Sequence, residues 1–484
     1  MLYINGKWRE ASGVLFSSIN PATGETLWSG REAVPPEIDE AVRSARQALP
    51  SWMRLSVSER TTYLHAFRDE LRSNAESLAQ QISQEVGKPL WDAATEVQAM
   101  IGKIDTSVAA LRQRRSSFEI TTAGGHGATI YKPHGVMAVF GPFNFPGHIA
   151  NGQIVPALAA GNTVVLKPSE LTPLVAEEMV RIWERAGLPH GVLNLIHGGK
   201  SVGEGLIRHQ GINGILFTGS LQTGIAIRRS LVEYPEKLLV LELGGNNPLV
   251  VHRPSDVSAA IYWTIISAFI TGGQRCTCAR RLIVTDGNED FLEGLIQAIR
   301  NIRIGPPDSQ PQPFLGPLVS PQAADKVSWE QQHLVKEGGK ILVEAQRPAL
   351  GHAYVTPGLI DVTDVEQRPD HEVFGPLLQL IRVSDLDAAI EECNRSQYGL
   401  AAALFTEDRV DFDDFLDRVN AGLINWNRPT TGASGELPFG GVGRSGNHRP
   451  AGSFAVDFCN IPIASLTAEE LTLPKELSPG VVLP

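Results

Sequence analysis

Cysteine is scarce in this chain, four residues in 484. That is too few for a disulfide framework at this length. Charge is thin as well: 20% of residues carry it, and the balance is acidic at −11. The basic surface that nucleic acid or an anionic membrane requires of a partner is therefore missing. The first residues, MLYINGKWREASG, lack the apolar core of a signal peptide. The uncharged run from Val257 to Gln274 includes Ser258, Tyr262, Thr264, Ser267 and Thr271. It is too polar for a membrane span, which needs about 20 predominantly apolar residues, and it reads as a buried helix. HGGKS (His197–Ser201) ends like a P-loop, but Asn194 stands where that motif needs its earlier glycine. No internal repeat is visible. A soluble, cytoplasmic protein with neither nucleic acid nor membrane as partner is expected.

What is present is substantial. With 42% hydrophobic residues the chain can bury large cores, and its length corresponds to about three domain-sized units. Pro36 to Arg114 has helical spacing with charges on the outer faces. GVMAVFGPFNFP (Gly135–Pro146) is an apolar strand running into a Gly/Pro/Asn loop, GHIANGQIVPALAAGN a helix, and TVVLKP (Thr163–Pro168) a strand. TPLVAEEMVRIWERAG opens on Thr-Pro and closes on Gly187, as a helix does. GVLNLIHG, GILFTGS and KLLVLELGG are short strands ending in small residues. Strands alternating with helices predict a parallel, doubly wound sheet, with ligands beyond the strands' carboxyl ends. After Gln274 the alternation resumes with RRLIV, EDFLEGLIQAIRNI and AALFTED, which predicts a second α/β unit.

Several motifs fall at those strand ends. FTGSLQTG (Phe217–Gly224) is a glycine-containing strand-to-helix turn, the kind that approaches a pyrophosphate, although it is not GxGxxG. LKPSE places Lys167 and Glu170 where both can meet ribose hydroxyls, or simply form a surface salt bridge. The stretch ITGGQRCTCARRLIV holds half of the cysteines, Cys276 and Cys278. A disulfide between them would be strained. A metal site lacks further ligands at characteristic spacing, since Cys393 and Cys459 stand alone. Two buried thiols or a nucleophile remain, and the nucleophile needs a base and an oxyanion donor. Glu242 in LELGG and Asn144 in PFNFP supply those groups.

PFNFP, KPSE, FTGS, LELGGNNP, GGQRC, EVFGP and LPFGGVGRSG, in this order over roughly Tyr3 to Pro462, resemble the NAD(P)-dependent aldehyde dehydrogenase superfamily. Within it, GHIANGQIVPALAAGN, GGQRCTCARRL, NWNRPTTGAS and SGNHRP are most similar to the N-succinylglutamate 5-semialdehyde dehydrogenases. The Δ1-pyrroline-5-carboxylate dehydrogenases share GQRC and the TTGA loop and give the alternative reading.

The resemblance implies Cys276 as nucleophile, Glu242 as general base and Asn144 as oxyanion donor. It implies NAD as cofactor, held by Lys167, Glu170, the turn Gly219, Ser220, Leu221, Gln222, Thr223, Gly224, and by Glu372 and Phe374. Arg428, Gly432, Ala433 and Phe439 are implied as substrate contacts. Arg275 is a weaker candidate cation, Cys278 a packing residue, and no metal is implied. Glu436, where relatives carry small neutral residues, puts a negative charge near a site meant for an acid. The implied fold is α/β: a Rossmann-type cofactor domain (1–116 and 134–243), an α/β catalytic domain (244–451), a β oligomerisation arm (117–133 and 452–466) and a tail (467–484). A homodimer or dimer of dimers follows from the arm. A catalytically dead structural relative, or an acylating member that releases a coenzyme A thioester, would share most of the motifs.

Overall fold

Apolar runs that alternate between two faces build the centre of the molecule. A computed structural model describes residues 1–122, 125–474 and 476–484. Residues 123 and 124 of the expected arm and residue 475 of the tail lie outside the described residues. The first sheet runs Leu238–Glu242, Gly214–Thr218, Val136–Phe140, Thr163–Lys167, Leu193–Leu195, Leu2–Ile4 and Lys7–Arg9. Its five inner strands are parallel, and Leu2–Ile4 joins antiparallel. Met137, Val139, Val164, Leu166, Leu216 and Val240 point to one core with Phe67, Met100, Ile154 and Met179. Val136, Ala138, Phe140, Val165, Ile215 and Leu241 point to the other with Val42, Leu206 and Ile227. Helices therefore cover both faces, as a doubly wound parallel sheet requires. In chain order the five strands stand 5-4-1-2-3, so the order reverses between Val136–Phe140 and Gly214–Thr218. That reversal opens the crevice where ligands bind in such sheets.

A second seven-stranded sheet runs Lys340–Val343, Gly358–Asp361, Leu377–Val383, Ala279–Thr285, Asn247–Val251, Ala401–Phe405 and Leu423–Trp426. It alternates likewise, with Val250, Ile283 and Leu404 on one face and Leu249, Val251, Leu282 and Phe405 on the other. Its first strand follows the last strand of the first sheet after only four residues, Leu243 to Asn246. The carboxyl end of the first sheet therefore meets the amino end of the second sheet's parallel strands there.

Asn460–Thr467, Gly125–Pro133 and Phe118–Thr122 form a separate antiparallel sheet of three strands, with Phe118, Ile120 and Leu466 exposed. The run read as a buried helix needs correction. The helix spans Val257–Phe269, and Tyr262 on it is 55% exposed. Its lack of charge marks one open apolar face rather than complete burial. Among the described residues no helix is long and apolar enough to cross a membrane.

Candidate active site

The loop that carries Cys276 is built against backbone preference. Thr271, Gly272 and Gly273 all take left-handed φ values, 57°, 65° and 71°. A left-handed threonine is costly, and something must hold it there. Arg275 Nε donates to Thr271 Oγ1 at 2.8 Å, and that hydroxyl donates to Asp92 Oδ2 at 2.6 Å. Arg275 also donates to Asp92 Oδ1 at 2.7 Å, closing a triangle on a fully buried carboxylate from the helix Leu90–Arg114. The weaker sequence reading of Arg275 as a substrate cation is thus corrected, because its charge is spent on Asp92. Gly273 is required twice over: besides its φ, a Cβ there would stand 2.3 Å from the Gly375 carbonyl of the EVFGP loop.

Asn247 fixes the other end of the loop. Its Nδ2 donates to Cys276 O at 2.7 Å and Cys278 O at 2.8 Å, and its Oδ1 accepts from Ala401 N at 3.0 Å. Cys276 is half-buried beside Leu400, Ala401, Leu423 and Phe439. Cys278 is wholly buried, its thiol against the Ile270 carbonyl. Asn144 is buried, and its Nδ2 donates to Gln274 O at 2.8 Å, two residues before Cys276. The Lys88–Glu96 ion pair, both side chains inaccessible, pins the PFNFP loop. Lys88 donates to Asn144 O at 3.1 Å, and Glu96 accepts from Gly147 N and His148 N at 2.9 Å.

Glu242 ends its strand with 5% exposure and a buried Oε2 that has no partner among the described residues. Burial holds its carboxyl well above the usual carboxylate range. Burial, then the nearby Glu372 and Glu242, push the Cys276 thiol up to about 12. The resting site therefore holds a thiol beside buried carboxyl groups. Glu372 accepts from Gly245 N at 3.3 Å, and burial raises its carboxyl to about 7. Phe374 meets Phe143 edge-on at 5.8 Å. Cys276, Glu242, Asn144, Glu372, Phe374 and Phe439 thus share one region at the junction of the two sheets.

The turn Gly219–Gly224 lies at the reversal of strand order. Ser220 caps the helix Leu221–Ser230, accepting from Thr223 N at 3.3 Å. The Leu221 and Gln222 N–H groups have no acceptor among the described residues. Gly224 packs where a Cβ would stand 2.7 Å from Leu243, so helix and strand approach closely. Lys167 is buried and donates to Pro168 O at 2.8 Å and Gly198 O at 2.6 Å, with Glu170 at 3.8 Å on the surface. Open backbone donors, a buried ammonium and an outer carboxylate at one crevice fit a dinucleotide.

Substrate-side residues sit further out. Arg428, Gly432, Ala433 and Glu436 are exposed, and Arg428 has no ion-pair partner among the described residues. Asn425 Nδ2 shapes the loop by donating to Pro429 O at 2.7 Å and Gly432 O at 2.9 Å. The Gly432 N–H turns inward to Pro429 O at 2.9 Å, whereas Ala433 N–H has no acceptor among the described residues. Sequence reasoning missed Asn247, Asp92 and the Lys88–Glu96 pair. Only Asn247 had a local signal, as the second asparagine of GGNNP.

Residues 8–461 match the aldehyde dehydrogenase family. The chain belongs to that family. It is 49% identical to the N-succinylglutamate 5-semialdehyde dehydrogenase of Hahella chejuensis over 99% of either chain. Among solved structures it is similar to the succinate-semialdehyde dehydrogenase of Burkholderia pseudomallei, at 29% identity and TM-score 0.91 over 96% of this chain and 97% of that one. It is similar also to the betaine aldehyde dehydrogenase of Staphylococcus aureus in complex with NAD+, at 26% identity and TM-score 0.93 over 99% and 96%. This aldehyde dehydrogenase is thus an α/β oxidoreductase that acts on an aldehyde with NAD(P).

Proposed function

We propose that the enzyme oxidises N-succinyl-L-glutamate 5-semialdehyde to N-succinyl-L-glutamate with NAD, in arginine catabolism in the cytoplasm. The full-length 49% identity to a relative of that name carries the reading. The exposed residues 432–434 support it, since the Ala433 N–H is free to meet the α-carboxylate beside Gly432 in this reading, and so does Arg428, whose guanidinium suits a second one. Phe439 flanks the aldehyde's path.

In this reading Cys276 attacks the aldehyde carbon. Burial disfavours a free thiolate, so in this reading a base removes the thiol proton as the C–S bond forms. Ionised Glu242, a stronger base for its burial, takes that proton directly or through water. Asn144 keeps one amide N–H for the oxyanion, and the Cys276 backbone N–H supplies a second donor, about 3 kcal/mol each. NAD, when bound, would supply the hydride acceptor for the oxidation. Lys167 and Glu170 would hold its adenosine ribose, Gly219–Gly224 its pyrophosphate, and Glu372 and Phe374 its nicotinamide end. Glu242 then draws a proton from the water that opens the thioester, which releases an acid rather than a coenzyme A ester.

We assign residues 1–116 and 134–243 to the cofactor domain, 244–451 to the catalytic domain, and 117–133 with 452–466 to an arm that pairs subunits into a homodimer or dimer of dimers. The exposed strand edges of the three-stranded sheet support the pairing.

An aldehyde panel with NAD and NADP in parallel tests the activity. N-Succinylglutamate semialdehyde is expected to exceed glutamate semialdehyde in kcat/KM, with NAD favoured at least about tenfold because Glu170 repels a 2′-phosphate. A better rate on glutamate semialdehyde would replace this reading with the pyrroline-5-carboxylate one.

A further inference from the structure

Two buried nitrogens near the PFNFP loop have no task in the mechanism. The first belongs to His148, four residues beyond Asn144. Its Nδ1 is buried and has no hydrogen-bond partner among the described residues. An imidazole nitrogen left so must find a donor or acceptor elsewhere. The second belongs to Lys103, only 6% exposed, whose ammonium donates to Gly452 O at 2.6 Å. An ammonium has three donors, and a buried one normally faces a carboxylate. Lys88 has Glu96 and Arg275 has Asp92, but Lys103 has no carboxylate partner among the described residues. The neighbourhood therefore carries one uncompensated positive charge.

The helix face that carries His148 is partly solvent-exposed. Along the helix His148–Ala159, His148, Ile149 and Gly152 are partly exposed while Ala150, Asn151 and Gln153 are buried. His148 and Gly152 lie four residues apart, one above the other on a single face. Gly152 has no side chain, and the nearest atom to its vacant Cβ position is Lys103 Cε at 4.0 Å. Residues flanking this face contact segments next to the Cys276 loop. Asn144 reaches Gln274 beside Cys276, and Gly452, which holds Lys103, pairs with Pro438 next to Phe439.

We propose that His148 and Lys103 form a carboxylate subsite lining the substrate channel, and that it receives the distal acid of the succinyl group. This rests on the reading of the substrate given above. The loop Thr430–Ser434 is held by the second sheet's elements through Thr430 N to Ser267 Oγ at 3.2 Å, whereas His148 belongs to the first sheet's. A substrate gripped on one side by its α-carboxylate has only its succinyl end to offer the other. Lys103 Nζ and a ring N–H of His148 donate to the carboxylate, and Arg428 at the rim draws the dianion in. Burial, then Lys103, Lys88 and Arg275, hold the imidazole down to about 4, and burial lowers Lys103 to about 8. Both groups gain by the arrival of an anion.

The test compares N-succinylglutamate semialdehyde with N-acetylglutamate semialdehyde, which keeps the aldehyde and α-carboxylate and lacks the distal acid. His148→Leu and Lys103→Met are assayed as full-length enzyme, with melting temperature and NAD binding as controls for folding. Each is expected to lower kcat/KM for the succinyl substrate by about 10- to 100-fold through KM, as loss of a charge-assisted hydrogen bond does. The acetyl substrate is expected to change less than about threefold, and the inhibition constant of N-succinylglutamate to rise in step with KM. If Lys103→Met fails to fold, His148→Leu decides alone. Equal losses on both substrates, or a retained succinyl preference in His148→Leu, overturn the subsite and leave the activity standing. A wild-type enzyme indifferent to the succinyl group overturns the activity, and the subsite falls with it.

Discussion

The turn at Gly219–Gly224 and the loop at Thr271–Cys278 stand on the two sides of the same crevice, yet they are made in different ways. The first is a local structure. Its cap, its glycines and the first turn of its helix lie within eight residues, Phe217 to Gly224, and its main outside contacts are the Glu242 carbonyl and Leu243 of one neighbouring segment. The second cannot hold itself. Its left-handed Thr271 depends on Asp92 from a helix far earlier in the chain, and its cysteine carbonyls depend on Asn247. A dinucleotide needs open donors at a helix end, which short-range sequence provides. The proposed nucleophile needs a fixed direction, and contacts across the molecule hold its loop.

That contrast can be broken most severely at the thiol. Cys276→Ala is expected to reduce aldehyde oxidation by about four orders of magnitude or more with NAD binding unchanged, whereas Cys278→Ala keeps most of the activity. NADH formation and cofactor titration on the same preparations decide it, and the reverse result would put the loop in the wrong register. Next in size is Glu242→Gln, expected to slow turnover by about 10²- to 10⁴-fold while sparing acylation. A rapid burst of NADH followed by acyl-enzyme in the intact mass is the signature, and normal steady-state turnover would remove Glu242 from the mechanism.

The distant supports come third. Asn247→Ala leaves two loop carbonyls and the Ala401 N–H without their partner, at about 1–3 kcal/mol. A fall in kcat is expected with little change in NAD affinity, because the cofactor turn has its own scaffold. If NAD affinity fell as far as kcat, the two loops would be one unit. The smallest effect concerns Glu372. Its folded carboxyl titrates near 7 rather than 4.5, so the unfolded chain loses that proton first. Its contribution is lost as pH rises from about 4.5 through about 7 and stays constant above. Relative to Glu372→Gln, the wild-type melting temperature is expected to decline across that window. Parallel curves would locate the raised titration elsewhere.

The same contrast explains what was legible in the sequence. The five parallel strands of the first sheet were readable from apolar runs closed by turn residues, because strand and turn signals act over a few positions, whereas Leu2–Ile4 and Lys7–Arg9 were not read as its strands. The family resemblance found Cys276, Glu242 and Asn144 through motifs that are themselves local. Asp92 gave no sign, sitting in LWDAATEV like any helix-surface acid, and only the fold brings it to Thr271. Lys88 and Glu96 read as ordinary solvated charges for the same reason. The helix Val257–Phe269 misled in the other direction, since lack of charge does not distinguish a buried face from an open apolar one.

The Lys88–Glu96 pair also bears on how such a sequence can drift. Both side chains are sealed from solvent, so a change at either leaves a lone charge in the interior, a loss of about 3–5 kcal/mol, before any second change can compensate. Such a loss takes a large part of an ordinary stability of about 5–15 kcal/mol. Single changes at either position are therefore expected to be strongly destabilising. A neutral pair would also have to replace the hydrogen bonds that Lys88 and Glu96 make to Asn144 O, Gly147 N and His148 N.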